Sequence, residues 1–403
     1  MYLHIIDDVL TMNHFIRRVQ SIDFGQHHFV VINSSGHISQ VVQTPLMVVF
    51  VPSNKNIQKL ARSLDRYSAV FIHNLCLIKS KIVLEASDDI VFVWGIWGTD
   101  YYSTFPELYS NLFLPYTRIT NVLLGKLSLT VKYIHRKTQP ITHLIGLKSK
   151  EWIQQQAVSK FEFTFNDMTR HSEVFRFVKM ETSQRFHLTY YSIESLTYDL
   201  TSIPPHLGPN ILIGNSASNT SNHLDALIAL RTHIIGRKII VPLGYGSSRY
   251  RKFINLAGRA ILKDQYSPIN VRLPLPEYHQ QLLSCNVMIF NHTRAQGLGN
   301  IVFGVWAGHK IFLRKSNPIF SYLIDLGIKV FPIESTWTVD SFESLPVNWQ
   351  EKNRKIIELQ YNEDKVQSDL QYILNHLNAT KTSQQNKIIP RPSRVHDHSG
   401  RCI

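Results

Sequence analysis

The stretch that most constrains this chain is Ile211–Asp225, which reads ILIGNSASNTSNHLD. Ile211, Leu212 and Ile213 make the short apolar run of a buried strand. Gly214 ends it, and a loop of Asn and Ser follows. Leu224, Leu227, Ile228 and Ile235 then recur at helical spacing until Gly236. A strand, a small polar loop and a helix aim unpaired backbone N–H groups at one point. The partial positive charge of a helix start draws an anion to the same point. Ser216, Ser218, Asn219 and Ser221 add side-chain donors. The same residues also suit an ordinary capped turn, so the rest of the chain must discriminate.

The alternation recurs along the chain and predicts an α/β fold, with parallel sheets covered by helices on both faces. In the first half, strands are expected at Leu3–Ile6, Phe29–Ile32, Met47–Val51, Ala69–Ile72 and Ile90–Trp94, and a helix over Ile57–Leu64. In such sheets the site lies beyond the carboxyl ends of the strands. Asp8, His73 and Asp100 fall there. Each is also a common cap or turn residue, and their shared placement is what makes them catalytic candidates. Leu123, Leu124, Leu127 and Val131 pattern an amphipathic helix, whereas Phe161–Tyr191 shows no clean period.

Tyr198–Asn210 carries three prolines and a glycine and reads as the boundary between two halves. A second series follows, with strands at Ile211–Ile213, Lys238–Leu243, Ile269–Leu273, Val287–Asn291 and Lys310–Leu313. Its helices are expected up to Gly236, over Arg249–Arg259 and Glu277–Ser284, through Ala307, and over Pro318–Leu326. The expected division is 1–200, 201–340, a segment 341–377 whose polar helix Glu351–Leu377 packs back across the linker, and a disordered tail 378–403.

Three loops at strand ends in the second half form a constellation: Gly214-Asn215-Ser216, Pro242–Gly246, and Gln296-Gly297-Leu298-Gly299-Asn300. Gly244, Gly297 and Gly299 allow close backbone approach, and Gln296–Asn300 opens a helix. Two helix starts beside one cleft suit a diphosphate. Tyr245 can stack on a base or sugar, and Arg249 or Arg294 can neutralise a leaving diphosphate. No Gly-Lys-Ser/Thr follows either loop, and neither matches Gly-x-Gly-x-x-Gly, which argues against a Walker site and a dinucleotide dehydrogenase.

Charge narrows the partners. The 403-residue chain has a formal net charge of +14, and basic proteins seek polyanions. From Arg118 to Lys150 there are seven basic residues, including Lys126, Lys132, Arg136 and Lys137, and no Asp or Glu. Apolar residues are interleaved, a mixture suited to an anionic membrane face, although a solvated basic face has the same composition. Nothing at the N-terminus reads as a secretion signal, and no apolar run reaches the roughly 18–20 residues of a membrane span. Cys76, Cys285 and Cys402 are far apart and read as reduced thiols of a cytoplasmic protein.

The two α/β halves resemble the two-domain fold of nucleotide-sugar transferases called GT-B: two Rossmann-like domains whose parallel sheets face across a cleft. ILIGNSASNTSNHLDAL, KIIVPLGYG, RAQGLGN and VFVWGIWGTDYY further resemble glycosyltransferase family 56. The pattern is carried by Gly214, Asn215 and Ser216 with Asn222, His223 and Ala226. The resemblance runs from Ile90 to about Pro332 and is strongest in Ile211–Ala307, with a weaker match at Met1–Val19. It implies transfer of a deoxyamino sugar of the fucose type, 4-acetamido-4,6-dideoxygalactose or a relative, from a dTDP donor. The implied acceptor is an undecaprenyl-diphosphate-linked oligosaccharide of a bacterial surface polysaccharide, as in enterobacterial common antigen. The enzyme would be peripheral on the cytoplasmic face of the inner membrane. Residues 1–200 would face acceptor and membrane, and 201–340 would bind the donor.

With no Asp-x-Asp motif, the expected mechanism uses no metal or other cofactor. Backbone amides and arginine carry the leaving charge, and RAQGLGN offers no carboxylate for a donor ribose. In an inverting reaction Asp100 is the first choice as base, shielded by Trp94 and Trp97, with Asp8 and His73 as alternatives. In a retaining one the leaving phosphate itself can take the proton. Two other readings stay open: a GT-B transferase for another nucleotide sugar, and a nucleic-acid-binding protein. The latter has the charge in its favour but no recognisable nucleic-acid-binding signature.

Overall fold

A computed structural model describes residues 1–388 other than 24, 106–107, 109, 126–147, 168–183, 201–206, 234–235 and 336. It contains two all-parallel sheets. The first is built from β1 (Tyr2–Asp7), β2 (His27–Ile32), β3 (Met47–Phe50), β4 (Ala69–His73), β5 (Phe92–Gly95), β6 (Phe161–Asn166) and β7 (Gln184–His187). Its order is β3-β2-β1-β4-β5-β6-β7. The second holds β8 (Asn210–Ile213), β9 (Ile239–Pro242), β10 (Tyr266–Ile269), β11 (Cys285–Phe290), β12 (Lys310–Leu313) and β13 (Phe331–Pro332). Its order is β10-β9-β8-β11-β12-β13.

Each sheet therefore starts in its middle, runs to one edge and returns to build the other side. The reversal opens a crevice between β1 and β4 in the first sheet and between β8 and β11 in the second. Ligands of doubly wound sheets bind at such crevices. Strands covered on both faces read as unbroken apolar runs, and every residue of β4 and β11 is buried. One apolar cluster lies on each face of each sheet.

Three expectations shift. The strand expected at Ile269–Leu273 lies at Tyr266–Ile269 and includes Pro268, which is tolerated because β10 is an edge strand. The helix after β8 runs only from His223 to Leu230; Ile235 lies outside the described residues. The C-terminal helix is two helices, Val347–Tyr361 and Glu363–Ile388. Asn362 breaks it, and its side chain accepts from Lys365 N at 2.7 Å to start the second helix. That helix continues ten residues past 378, where disorder was expected, and residues 389–403 lie outside the described part.

The two C-terminal helices tie the halves together. Ile357 and Tyr361 fill a core cluster of the second sheet, and Val366, Leu370, Ile373, Leu374 and Leu377 fill one of the first. Tyr2 Oη donates to Leu374 O at 3.2 Å, and Arg18 forks onto Glu363 at 2.8 and 3.0 Å. Leu370→Ala is expected to cost about 2–5 kcal/mol through the lost contacts and the cavity left behind. Chemical denaturation followed by tryptophan fluorescence checks this, and an unchanged midpoint would remove the helix from the core.

Candidate active site

The crevice of the second sheet is lined by the three loops that the sequence singles out. Gly214 follows β8 at φ +73°, and a Cβ there would lie 2.5 Å from His223 Nε2. Only glycine fits, because the imidazole packs directly beneath the turn. Gly297 opens the Leu298–Ala307 helix at φ +72°, and its Cβ position is 3.1 Å from Asn215 Cγ. The loops after β8 and β11 thus touch. Gln296 locks them together: its Nε2 donates to Asn215 Oδ1 at 3.0 Å and to Ser221 Oγ at 3.2 Å, and its Oε1 accepts from Thr220 Oγ1 at 2.5 Å. The β9 loop joins through Asn215 Nδ2 to Tyr245 Oη at 3.0 Å and Ala217 N to Tyr245 O at 2.8 Å.

Arg294 carries the positive charge of this cradle. It is 8% exposed, and its Nε donates to Thr220 Oγ1 at 3.3 Å. Its guanidinium lies 6.0 Å from the ring centre of Tyr102 in the first domain. Tyr245 is 55% exposed, with its hydroxyl bonded to Asn215. Ser216 is buried in the same turn, and Gly299 has only Tyr191 and Leu196 within 4 Å of a Cβ position. Asn300 Nδ2 donates to Tyr278 Oη at 2.6 Å.

Four other residues expected at the donor are held in contacts of the fold. Asn222 is fully buried: Leu114 N donates to its Oδ1, and its Nδ2 donates to the carbonyls of Leu112, Thr220 and Asn291. It ties the domains together and has no polar atom left for a donor. His223 is sealed under Gly214, with Nδ1 3.2 Å from Tyr250 Oη, and burial takes its pKa down to about 3. A Cβ on Gly244 would strike Val271 O at 2.3 Å, so this glycine serves the approach of two backbones. Arg249 Nη1 donates to Leu124 O at 3.3 Å in an exposed contact. Thr220, the hub between Arg294 and Gln296, was not singled out in the sequence, where it reads as one more polar residue of the loop.

The three catalytic candidates in the first domain are all engaged by the fold. Asp100 is 2% exposed, and its oxygens are saturated. Oδ2 accepts from Trp94 Nε1 at 2.8 Å and Leu75 N at 3.0 Å; Oδ1 accepts from Tyr101 N at 2.9 Å and Trp97 N at 3.0 Å. Asp8 accepts from the backbone of Ser39, Gln40 and Val41 and from the side chains of Ser39 and Asn33. Burial pushes its carboxyl up, but these donors outweigh it and bring the pKa to about 2. His73 lies inside β4, fully buried, with Nε2 3.1 Å from His4 Nδ1 and Nδ1 2.8 Å from Tyr190 Oη. Burial and then Lys79 hold it well below the usual histidine range, so it is neutral and shielded.

The carboxylate left at the crevice is Asp7, the last residue of β1. Its side chain is 25% exposed and sits 2.8 Å from the fully buried Lys79 Nζ. Asn74 Nδ2 donates to its other oxygen at 2.8 Å, and Thr99 Oγ1 donates to Asn74 Oδ1 at 3.3 Å. The neighbouring Gly98 faces the second domain: its Cβ position is 3.3 Å from Ala295 O and 3.8 Å from Arg294 Nη1. Asp7 thus lies at the β1/β4 crevice, two hydrogen bonds from the loop that meets Arg294. The Asp7-Asp8 pair was visible in the sequence, but which of the two side chains the loop would consume was not.

Of the membrane-facing candidates, Arg118 is exposed on the Pro115–Leu123 helix. Lys126, Lys132, Arg136 and Lys137 lie outside the described residues. Among the described residues no three His, Cys, Asp or Glu side chains are grouped to share a metal ion.

Asp8 and Asp100 are expected to act on stability. The contribution of Asp8 is complete above its unfolded pKa near 3.8 and fades as pH falls toward about 2. The stability gap between the parent chain and Asp8→Asn should therefore narrow over that interval in pH-dependent denaturation. Asp100→Asn turns an amide N–H₂ toward N–H donors. It should lower stability by about 1–3 kcal/mol in the same assay, while donor binding measured by calorimetry stays within a few-fold.

Residues 153–347 match the model of the family described as 4-alpha-L-fucosyltransferase, glycosyl transferase group 56. That span includes the whole second sheet and the cradle. Among solved structures, sucrose-phosphate synthase from Thermosynechococcus elongatus aligns over 94% of this chain and 100% of its own, with TM-score 0.58 and 9% identity. HepE of Anabaena, solved with UDP and glucose, aligns over 93% and 100%, with TM-score 0.58 and 10% identity. Trehalose 6-phosphate synthase from Burkholderia multivorans aligns over 95% and 99%, with TM-score 0.62 and 5% identity. At these identities the likeness is one of fold. Two doubly wound sheets meeting at a cleft, with the group 56 match across the second, make this chain a glycosyltransferase of GT-B architecture.

Proposed function

We propose that the protein moves a fucose-type deoxyamino sugar, 4-acetamido-4,6-dideoxygalactose or a close relative, from dTDP to an undecaprenyl-diphosphate-linked oligosaccharide. It would do so as a peripheral enzyme on the cytoplasmic face of a bacterial inner membrane. The observation that carries the transferase reading is that the two sheet crevices hold complementary chemistry. One presents Arg294, Gln296 and the start of the Leu298–Ala307 helix; the other presents Asp7. The fucosyltransferase description of the matched family supports the sugar class. The absence of any helix among the described residues long and apolar enough to cross a membrane is compatible with peripheral attachment.

In this mechanism Arg294 and the free N–H groups at the helix start hold the diphosphate without a metal ion, and the exposed Tyr245 ring packs on base or sugar. For an inverting transfer the acceptor hydroxyl oxygen attacks the anomeric carbon. The bond from that carbon to the diphosphate breaks, and dTDP leaves with the electron pair. Asp7 takes the hydroxyl proton. Lys79 and Asn74 hold its carboxylate in place. A different nucleotide sugar remains the serious rival, because a few contacts around Asn215 and Tyr245 set the donor; HepE was solved with UDP.

Incubation of the purified protein with a panel of dTDP- and UDP-sugars and a polyprenyl-diphosphate-linked acceptor tests the reading. Release of dTDP should dominate, and preferential UDP release would transfer the assignment to the rival donor. Asp7→Asn should lower kcat by about 10²–10⁴ with dTDP affinity retained. Asp7→Glu should recover part of the loss. Near-normal turnover of folded Asp7→Asn would place the base elsewhere.

A further inference from the structure

The Pro115–Leu123 helix is amphipathic in the reverse sense. The face it turns to the protein is polar: Thr117, Thr120 and Asn121 are buried. The face it turns to solvent is apolar: Tyr116, Ile119, Val122 and Leu123 are 46%, 57%, 59% and 69% exposed. The orientation is pinned. Asp225 accepts from Tyr116 N at 3.0 Å, Thr117 N at 2.9 Å and Thr117 Oγ1 at 2.6 Å, and Asn219 Nδ2 donates to Asn121 Oδ1 at 3.0 Å. A helix free to roll would bury its aliphatic side. This one is held with that side outward by partners on the donor-binding domain.

We infer that this face docks on an anionic lipid bilayer and sets the mouth of the cleft against the membrane. The inference rests on the reading of a lipid-linked acceptor given above and names the surface that reaches it. Charge selects the occupant. Arg118 is exposed beside these apolar residues, and the chain has a formal net charge of +14. Two copies, each with that net charge, repel one another, whereas anionic headgroups attract the chain while the aliphatic side chains enter the interface. Position fits as well, because Asn219 belongs to the loop whose Thr220 contacts Arg294 and Gln296.

Flotation with phosphatidylcholine–phosphatidylglycerol vesicles, compared with phosphatidylcholine alone, tests the surface. The parent chain should bind the anionic vesicles and weaken as salt rises. Ile119→Glu/Val122→Glu/Leu123→Glu replaces only solvent-facing side chains and should reduce binding by about tenfold or more. A control with the same charge change at exposed positions on other elements, Val48→Glu/Val347→Glu/Leu359→Glu, should stay within about twofold. Equal loss in both variants, unchanged binding of the first, or no binding by the parent would overturn the inference. So would a parent dimer in sedimentation that only the first variant dissolves. Titration with dTDP on the same samples keeps the two readings separate. A parent that floats but does not bind dTDP counts against the proposed function, and one that binds dTDP but does not float counts against this surface.

Discussion

The geometry of the molecule depends on a few hydrogen bonds from the donor loop to the chain segment Leu112–Asn121. Asn222 holds a left-handed backbone, φ +50°, and spends its side chain on Leu112 O, Leu114 N and Asn291 O. Three residues on, Asp225 accepts the first N–H groups of the Pro115–Leu123 helix, which otherwise lack partners. One short stretch therefore ends the cradle loop, starts its helix and fixes a neighbouring helix of the first domain. Removing the Asn222 side chain would leave several buried backbone groups unpaired, and each such group costs more than the hydrogen bond contributes.

That arrangement explains why the second domain could be read in the sequence and the first only in outline. In the second domain the signal is local: strand, glycine, polar loop and helix follow one another within some fifteen residues, and the contacts among Asn215, Gln296 and Tyr245 arise because those strands are neighbours. The first domain's site residues are separated by longer connections. What surrounds Asp100 and Asp8 depends on Leu75 and on Ser39–Val41, distant segments that no periodicity links to them. Elements with mixed signals were misplaced for the same kind of reason. Pro268 hides an edge strand, and the polar composition after Asn378 conceals a helix whose preceding turns are anchored by Leu370, Leu374 and Leu377.

The carboxylates at the end of the first sheet show how function is divided among similar residues. The turns that follow parallel strands leave backbone N–H groups without ladder partners, and these need acceptors. Asp8 takes up the turn at Ser39–Val41, and Asp100 takes up the turn at Trp97 and Tyr101 together with Leu75 N and the Trp94 indole. Both become frame. Gly98, between Trp97 and Asp100 in the chain, is where the first domain touches Ala295 and approaches Arg294. Asp7 accepts only from Asn74 and Lys79, both side chains, and keeps a quarter of its surface open at the crevice. A general base needs lone pairs not already engaged by the backbone. Among these three neighbours only Asp7 has them, because the other two satisfy the turns that would otherwise compete for it.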